Sequence, residues 1–155
     1  MLTSGARVTG VAALMALAGC ALFGGGDSTP GPIDIEIESS VRLNPDESGQ
    51  SLPTQVRLLQ LKAGGKLEAA DYGAVYRGDK EALGEDLLQA DEIVVSPGEK
   101  VQKRIARDKG ATVLGVVGVF RRPSGGTWRR LVELPRGGKA VRVRVRLEDY
   151  RVESN

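Results

Sequence analysis

The sequence predicts a mainly β protein, a two-sheet antiparallel β-sandwich with a small helical insertion. From residue 33 onward, short segments alternate apolar and polar residues with the period of two that half-buried strands require. Turn signals rich in Gly and Pro separate these segments at short intervals, which is typical of β-sandwiches. A single stretch, residues 66–88, instead spaces its apolar residues as a helix does.

The first strand is predicted at residues 33–42. Isoleucines alternate strictly with acidic residues along the segment Ile33-Asp34-Ile35-Glu36-Ile37-Glu38. One face of this strand is therefore apolar and the other is charged, because successive side chains of a strand point to opposite faces. We expect the isoleucines to face the core and the carboxylates to face water.

A long loop is predicted at residues 43–53, between the first and second strands. Two prolines, Gly49 and several turn-forming residues exclude regular structure there, and Asp46 and Glu47 lie at the predicted tip. Long loops in compact domains are more often functional than incidental. This loop is therefore a candidate binding segment.

The second strand is predicted at residues 54–62, and its apolar side changes faces near Leu58-Leu59. This change indicates either a bulge or a strand that is covered on both sides. After it, residues 66–88 predict two short helical stretches, kept short by several glycines. Five further strands are predicted at 92–95, 100–106, 111–122, 127–134 and 140–152, with tight hairpin turns at 123–126 and 135–138.

The strand predicted at residues 111–122 is apolar on both faces, with Val113 and Val117 on one and Leu114 and Phe120 on the other. In an open antiparallel sandwich, one face of a strand is normally exposed to water. We therefore expect a central strand whose outer face is covered by the helices of residues 66–88.

The net charge of the chain conceals a split between its two halves. Residues 20–98 contain 6 Lys/Arg and 14 Asp/Glu, a net of −8, whereas residues 99–155 contain 15 Lys/Arg and 6 Asp/Glu, a net of +9. Such an asymmetry predicts that the halves pair with each other. In particular, we expect the acidic face of the first strand to neighbour the stripe Arg142, Arg144 and Arg146 of the last strand in one sheet.

The N-terminal residues predict a lipoprotein signal peptide at 1–19. A positively charged start is followed by an apolar run, Val8 to Gly19, that is too short to span a bilayer. The motif Leu17-Ala18-Gly19-Cys20 matches the bacterial lipobox, in which the cysteine thiol is alkylated by a diacylglyceryl group before cleavage. Cys20 is the only cysteine, so we expect a covalent lipid there, no other cofactor and no intramolecular disulfide. Ala21 stands where an Asp would retain a lipoprotein at the inner membrane, which favours the outer membrane.

The predicted organisation follows from these segments. The lipidated Cys20 and a flexible tether rich in Gly and Pro occupy residues 20–32, and this coil holds the domain about 20 Å from the bilayer. The sandwich domain spans residues 33–152, with the helical insertion at about 66–88, and a short tail occupies residues 153–155. The domain therefore faces the periplasm from a lipid anchor.

Composition argues against catalysis and against nucleic-acid binding. The chain has no histidine, which removes the commonest general base and the commonest metal ligand. No nucleophile with an activating base is evident, and the acidic run near Asp46 lacks the ligand spacing of a calcium loop. The arginines of the basic half lack interleaved aromatic residues, so no nucleic-acid partner is expected. Trp128, the only tryptophan, is expected to be a core anchor, and the arginine stripe a solvated strand face.

Several segments, taken together and in order, resemble one family. They are the lipobox, Leu43-Asn44 and Gly49 to Pro53 at the two ends of the long loop, VRLLQL at 56–61, Leu67, Ala70-Asp71-Tyr72, LGEDLL at 83–88, Ser96-Pro97-Gly98, VLGVVGVFR at 113–121 and Trp128-Arg129. This set is similar to the outer-membrane lipoproteins of the type VI secretion system, the TssJ family. Leu67 and Tyr72 stand where that family commonly has phenylalanines.

The resemblance implies a transthyretin-like sandwich with extra helices and a role in the envelope-spanning membrane complex. It implies that the lipoprotein binds the periplasmic C-terminal domain of the inner-membrane protein TssM and ties it to the outer membrane. It also implies that the first loop takes part in this contact, through Asn44, Pro45, Asp46, Glu47, Ser48, Gly49, Gln50, Ser51, Leu52 and Pro53.

An alternative interpretation remains open at this point. The same features would suit a lipid-anchored adaptor or a pilotin-like chaperone of another envelope assembly. An enzyme is not expected under either interpretation.

Overall fold

The computed structural model describes residues 29–154. The predicted signal peptide, Cys20 and most of the predicted tether lie outside the described residues. Within them the elements follow one another as β1 (Ile33–Leu43), β2 (Thr54–Leu61), α1 (Gly65–Ala69), α2 (Tyr72–Arg77), α3 (Asp79–Leu83), a 3-10 turn (Gly84–Asp86), β3 (Leu87–Val95), β4 (Lys100–Ile105), β5 (Val113–Gly118), β6 (Arg129–Glu133), β7 (Val141–Asp149) and β8 (Arg151–Ser154).

The strands form two four-stranded sheets that pack face to face, which confirms the predicted sandwich. Sheet 1 has the strand order β4-β1-β7-β8, and sheet 2 has the order β3-β2-β5-β6. All pairs are antiparallel except β1 with β7, which is parallel. That one parallel pair departs from the expectation of a purely antiparallel sandwich.

The ends of several strands differ from the sequence-based prediction. The segment predicted as one last strand divides into β7 and β8, because Asp149 adopts a positive φ of 49° and reverses the chain. β3 begins at Leu87, which pairs with Leu61 of β2, so Leu87 and Leu88 are strand and not helix. β5 covers only Val113–Gly118 of the strand predicted at 111–122.

The two predicted hairpin turns have different outcomes. β5 and β6 are antiparallel neighbours, but the chain between them spans residues 119–128 and is longer than a tight turn. Residues 135–138 do not form a hairpin, since they lead from β6 in sheet 2 to β7 in sheet 1. Gly and Pro mark a change of direction in both places, and they do not specify which strand the chain pairs with next.

β1 lies between two strands from the basic half of the chain, which confirms the predicted pairing of the halves. Glu38 lies opposite Arg146 of β7 in the parallel register, and Asp34 lies opposite Arg104 of β4 in the antiparallel one. The charged groups meet across the strands, with 2.5 Å between Arg104 Nε and Asp34 Oδ1 and 3.0 Å between Lys100 Nζ and a Glu36 carboxylate oxygen. The opposite face of β1 buries its isoleucines in the core.

The two central strands of sheet 2, β2 and β5, are buried on both faces, as predicted for β5. Every residue of β5 is buried, and Leu58 and Leu59 on β2 are each fully buried although they point to opposite faces. One face packs against sheet 1. The helical segments of residues 65–86 cover the other face, where the side chain of Leu67 lies directly over Gly115.

Trp128 is a core residue, as expected. Its side chain is 1% exposed, and its ring meets that of Tyr72 edge-on at 5.3 Å between centroids. The guanidinium of Arg129 lies 4.4 Å from the Trp128 ring centroid and donates hydrogen bonds to the carbonyls of Glu68 and Ala70. This cluster ties α1 and α2 to the edge of sheet 2.

The strand directions separate two ends of the sandwich. The loop end contains residues 44–53, 96–99, 119–128 and 149–150, and the tether end contains residues 29–32, 62–64, 106–112 and 134–140. β1 runs from the tether end to the loop end, and its length at about 3.3 Å per residue separates the two by roughly 30 Å. The chain thus enters the domain at one end and reaches the candidate binding loop at the other.

The close approach of Leu67 to Gly115 generates a stability prediction. A β-carbon at position 115 would overlap the buried side chain of Leu67, so Gly115→Ala should lower the free energy of unfolding by about 1–3 kcal/mol. The matched control is Gly65→Ala, since a β-carbon there meets nothing within 4 Å, and it should leave stability unchanged or raise it by up to about 1 kcal/mol. Urea unfolding of the two variants tests the difference, and equal midpoints would contradict the packing described.

Candidate functional site: the β1–β2 loop

The candidate loop, residues 44–53, carries the chain from sheet 1 to sheet 2 at the loop end. Its two ends meet, because the N–H of Leu52 donates a hydrogen bond of 2.9 Å to the carbonyl of Leu43. The segment is therefore a closed loop on a defined base. Its ten residues form a buried base and a more exposed tip.

Asn44 and Pro45 form the buried base. Asn44 is 4% exposed with a φ of 46°, a conformation that Asn tolerates better than most residues. Its Oδ1 accepts a hydrogen bond of 2.9 Å from the N–H of Arg121, and its own N–H donates one of 2.7 Å to the carbonyl of Asp149. The hydroxyl of Tyr150 donates to the carbonyl of Pro45 at 2.7 Å. The base is thus held by the segment after β5 and by the β7–β8 turn.

The Asp46 carboxylate organises the tip. Its Oδ1 accepts hydrogen bonds from the N–H and hydroxyl of Ser48 at 2.8 and 2.7 Å, and from the N–H of Gln50 at 2.9 Å. These bonds, first among them that from the Ser48 hydroxyl, and the nearby Arg121 charge hold the pKa of Asp46 below its ordinary value. Gly49, at a φ of 85°, completes a turn in which its N–H donates to the carbonyl of Asp46. The tip therefore has a preformed shape while Asp46 is ionised.

The exposed members of the loop are Glu47, Ser48, Gly49, Gln50 and Pro53, whereas Asp46, Ser51 and Leu52 are half-buried. Only these eight residues can offer side chains or backbone to a partner on the outside. Asn44 and Pro45 can act on a partner only by holding the tip in place.

Sequence reasoning did not single out one residue at the same end of the sandwich, Val41. Its side chain is 80% exposed, which is unusual for a valine in a strand, and a β-carbon added to Gly98 of the β3–β4 turn would lie 3.3 Å from it. The alternation of β1 is interrupted after Ser39, where the register with β7 shifts before Leu43. The pair Ser39-Ser40 before Val41 is the only sequence signal of that interruption.

The shifted pKa values elsewhere have structural causes. Burial raises the pKa of Asp79, which accepts a hydrogen bond of 3.1 Å from Arg57 beneath the helices. Burial likewise raises the pKa of Tyr72, whose hydroxyl donates to the carbonyl of Phe120. Each of these groups already has a partner in the packing of the helices on sheet 2.

Two further findings concern the described part of the chain. Between residues 29 and 154, no three His, Cys, Asp or Glu side chains are grouped so that they could hold a metal ion. Over the same residues, no helix has the length and apolar character needed to cross a membrane.

Comparisons with known proteins agree on one family. A family model described as "Type VI secretion lipoprotein, VasD, EvfM, TssJ, VC_A0113" matches residues 32–150. The crystal structure of the type VI secretion lipoprotein TssJ1 from Pseudomonas aeruginosa is similar, with a TM-score of 0.72, 28% identity, and coverage of 80% of this chain and 94% of that one. No curated protein matches the chain.

Two other solved structures share the fold at lower identity. Serratia marcescens Lip, described as a membrane-bound component of the type VI secretion system, has a TM-score of 0.73 at 20% identity, with coverage of 83% of this chain and 99% of that one. A structure described as the TssM C-terminal domain from EAEC contains a chain with a TM-score of 0.68 at 22% identity, with coverage of 80% and 97% respectively.

The buried base of the loop generates a second prediction. Asn44→Ala removes the acceptor for the Arg121 N–H and should lower the free energy of unfolding by about 1–3 kcal/mol, the cost of an unsatisfied buried donor. Asn44→Gly also loses the acceptor but suits the positive φ, so the difference between the two variants measures the backbone strain of Ala minus the larger entropy that Gly loses on folding. Glu47→Ala at the exposed tip is the control and should leave stability unchanged. Chemical denaturation checks all three, and a fully stable Asn44→Ala would refute the role of the base.

Proposed function

Because the chain belongs to the family of type VI secretion lipoproteins, we propose that it is a non-catalytic adaptor that holds a TssM-like inner-membrane protein to the outer membrane. The lipid anchor is at Cys20, and the partner is the periplasmic C-terminal domain of the TssM-like protein. Within the β1–β2 loop, residues 44–53, the residues from Asp46 to Pro53 face the partner, and Asn44 and Pro45 hold them in place.

The arrangement of the two ends of the sandwich carries this proposal. The described chain begins at the tether end, only nine residues after Cys20, and the loop lies at the opposite end, across the length of β1. An adaptor needs this separation, because its membrane attachment and its partner site must not compete for the same surface. The predicted tether, residues 20–32, spans about 20 Å, which keeps the domain close to the membrane.

The proposed contact uses the exposed tip and not the whole loop. The Asp46 hydrogen bonds preform the tip, so binding a partner costs little ordering of the chain. Glu47 supplies an exposed charge, and Val41 at the same end of the sandwich supplies an exposed apolar group. An exposed apolar side chain next to exposed charged and polar groups is a surface that a protein partner can cover.

The alternative adaptor roles are less well supported. A pilotin-like chaperone of another assembly would account for the lipobox, but it would not account for a family match over residues 32–150. The two functions differ in the partner protein, so a binding measurement distinguishes them.

The first test concerns the loop tip. The combined substitution Glu47→Ala, Ser48→Ala and Gln50→Ala should weaken binding to the TssM-like periplasmic domain at least tenfold, about 1.4 kcal/mol, while the thermal melt is retained. The matched control replaces three exposed residues of the helical segment, Lys80, Glu81 and Glu85, with Ala and should bind normally. Calorimetric titration of each variant measures the effect, and unchanged affinity in a folded tip variant would move the interface elsewhere.

The second test concerns the anchor. Cys20→Ser should leave the domain folded but abolish type VI secretion, because an untethered adaptor cannot hold its partner to the outer membrane. Ala21→Asp keeps the lipidated cysteine but changes the signal that directs it to the outer membrane, so it separates lipidation from location. Full secretion by a Cys20→Ser strain would refute the anchoring role.

A further inference from the structure

We infer that the tether end of the sandwich is a docking surface for anionic phospholipid headgroups, which holds the anchored domain upright with its loop end away from the membrane. The inference rests on the lipid anchor proposed at Cys20. It adds a second, electrostatic attachment and assigns it to a set of residues defined below.

Four exposed cations surround the tether end and form the basic rim: Lys62, Lys109, Arg136 and Lys139. They come from three different connections, those after β2, after β4 and after β6. Within residues 29–154, the side chains of Lys62, Arg136 and Lys139 make no ion pair. Cations on the outer face of sheet 1 differ, because Lys100, Arg104, Arg144 and Arg146 each meet a carboxylate.

Among residues 29–154, the carboxylates near the tether end are fewer than the cations. Asp108 accepts a hydrogen bond of 2.7 Å from the N–H of Gly110, and Asp86 pairs with Lys66 at 3.4 Å. Glu133, at the end of β6, is an exposed carboxylate nearby. The described residues of the tether end therefore carry a surplus of positive charge, which attracts an anionic surface over about 8–10 Å at physiological ionic strength.

Arg107 holds together the two connections that carry Lys109, Arg136 and Lys139. Its guanidinium donates to the carbonyls of Ala111 at 2.8 Å, Leu134 at 3.1 Å and Pro135 at 2.6 Å. These bonds tie residues 106–112 to residues 134–140. The rim cations on the two connections consequently hold a fixed spacing, with Arg107 itself engaged in the backbone contacts and not facing the membrane.

The N-terminal segment of the described chain lies at the same end as the basic rim, so the anchor places the rim next to the membrane. Gly31 is buried against the backbone of Gly138 and Lys139, where a β-carbon would overlap the Lys139 carbonyl group. The carbonyl of Pro32 also accepts a hydrogen bond of 2.9 Å from the N–H of Val141. The segment leading back to Cys20 therefore leaves the domain beside Arg136 and Lys139. Any lipid attached at Cys20 brings the bilayer to this end first.

Residues 135–139 are shaped for contact with a surface. All five are exposed. Gly137 adopts a φ of 120°, which a glycine tolerates, and no side chain covers the backbone there. Arg136 and Lys139 flank the two glycines. Headgroup phosphates can thus approach the backbone between two cations, and short tethering raises their effective concentration.

The experiment follows the height of the loop tip above a bilayer. The acylated chain, with a fluorescent donor amino acid in place of Glu47, is reconstituted in vesicles that carry a headgroup-labelled acceptor lipid. One set of vesicles is phosphatidylcholine alone, and in the other roughly a third of the lipid is phosphatidylglycerol. Energy transfer from the tip should fall at least twofold in the anionic vesicles, and the difference should disappear when salt screens the surface.

Two charge variants assign the effect to the basic rim. Lys62→Gln, Lys109→Gln, Arg136→Gln and Lys139→Gln combined should give the same transfer in both vesicles. The matched control removes the same number of exposed cations far from the tether end, by Arg77→Gln, Arg121→Gln, Arg122→Gln and Arg130→Gln, and should respond to lipid as the unmodified chain does.

The outcomes separate this inference from the anchor on which it rests. Equal transfer in both lipids, a rim variant that still responds, or a control that loses the response would each overturn the inference. A chain that fails to float with vesicles would show that the Cys20 anchor has failed. In that event the thiol of Cys20 is coupled to a maleimide lipid in a chain lacking residues 1–19, and the same comparison is made.

Discussion

The alternation of isoleucine and carboxylate along β1 is the constraint on which the rest of the structure depends. The isoleucines of β1 are buried in the core, while Asp34 and Glu36 meet cations on β4 and Glu38 meets Arg146 on β7. A shift of one residue would expose the isoleucines and bury the carboxylates, so the register of three strands is determined together. The same strand spans the domain and sets the distance between the tether end and the loop end.

The ion pairs of sheet 1 also have a pH dependence. A guanidinium hydrogen bond from Arg104 holds the pKa of Asp34 below its ordinary value, and hydrogen bonds from Lys100 and Gln102 do the same for Glu36. A lowered folded pKa means that the stabilisation is complete above the unfolded pKa and is lost as the pH falls through the folded one. Both groups face water, so screening by salt weakens these interactions, and the buried isoleucines remain the larger contribution.

The two ends of the sandwich are built differently for different tasks. At the loop end, hydrogen bonds to Asn44 and Pro45 hold a base on which a preformed tip is exposed. At the tether end, Arg107 braces two connections that carry exposed cations. A lipid anchor alone permits the domain to tilt and rotate, whereas an anchor together with a charged rim would direct the loop into the periplasm. The proposed adaptor function and the inferred lipid contact therefore describe one geometry.

Local patterns in the sequence predicted much of this molecule, because binary patterning and turn chemistry act over a few residues. The sandwich, the buried β5, the core position of Trp128 and the pairing of β1 with β7 were all predicted from residue types and are found in the structure. The place of the candidate loop between the first two strands was also predicted, and whether it binds a partner stays a prediction.

Other features depended on contacts between residues far apart in the sequence. The parallel direction of β7, the division of the last strand at Asp149 and the crossing of residues 135–138 between sheets are decided by long-range pairing. The same holds for the loop, since Asn44 is buried only because Arg121 and Asp149 approach it from segments more than 70 residues away. A polar residue in a loop is read from sequence as exposed, and only the packing of distant strands gives its side chain a buried partner.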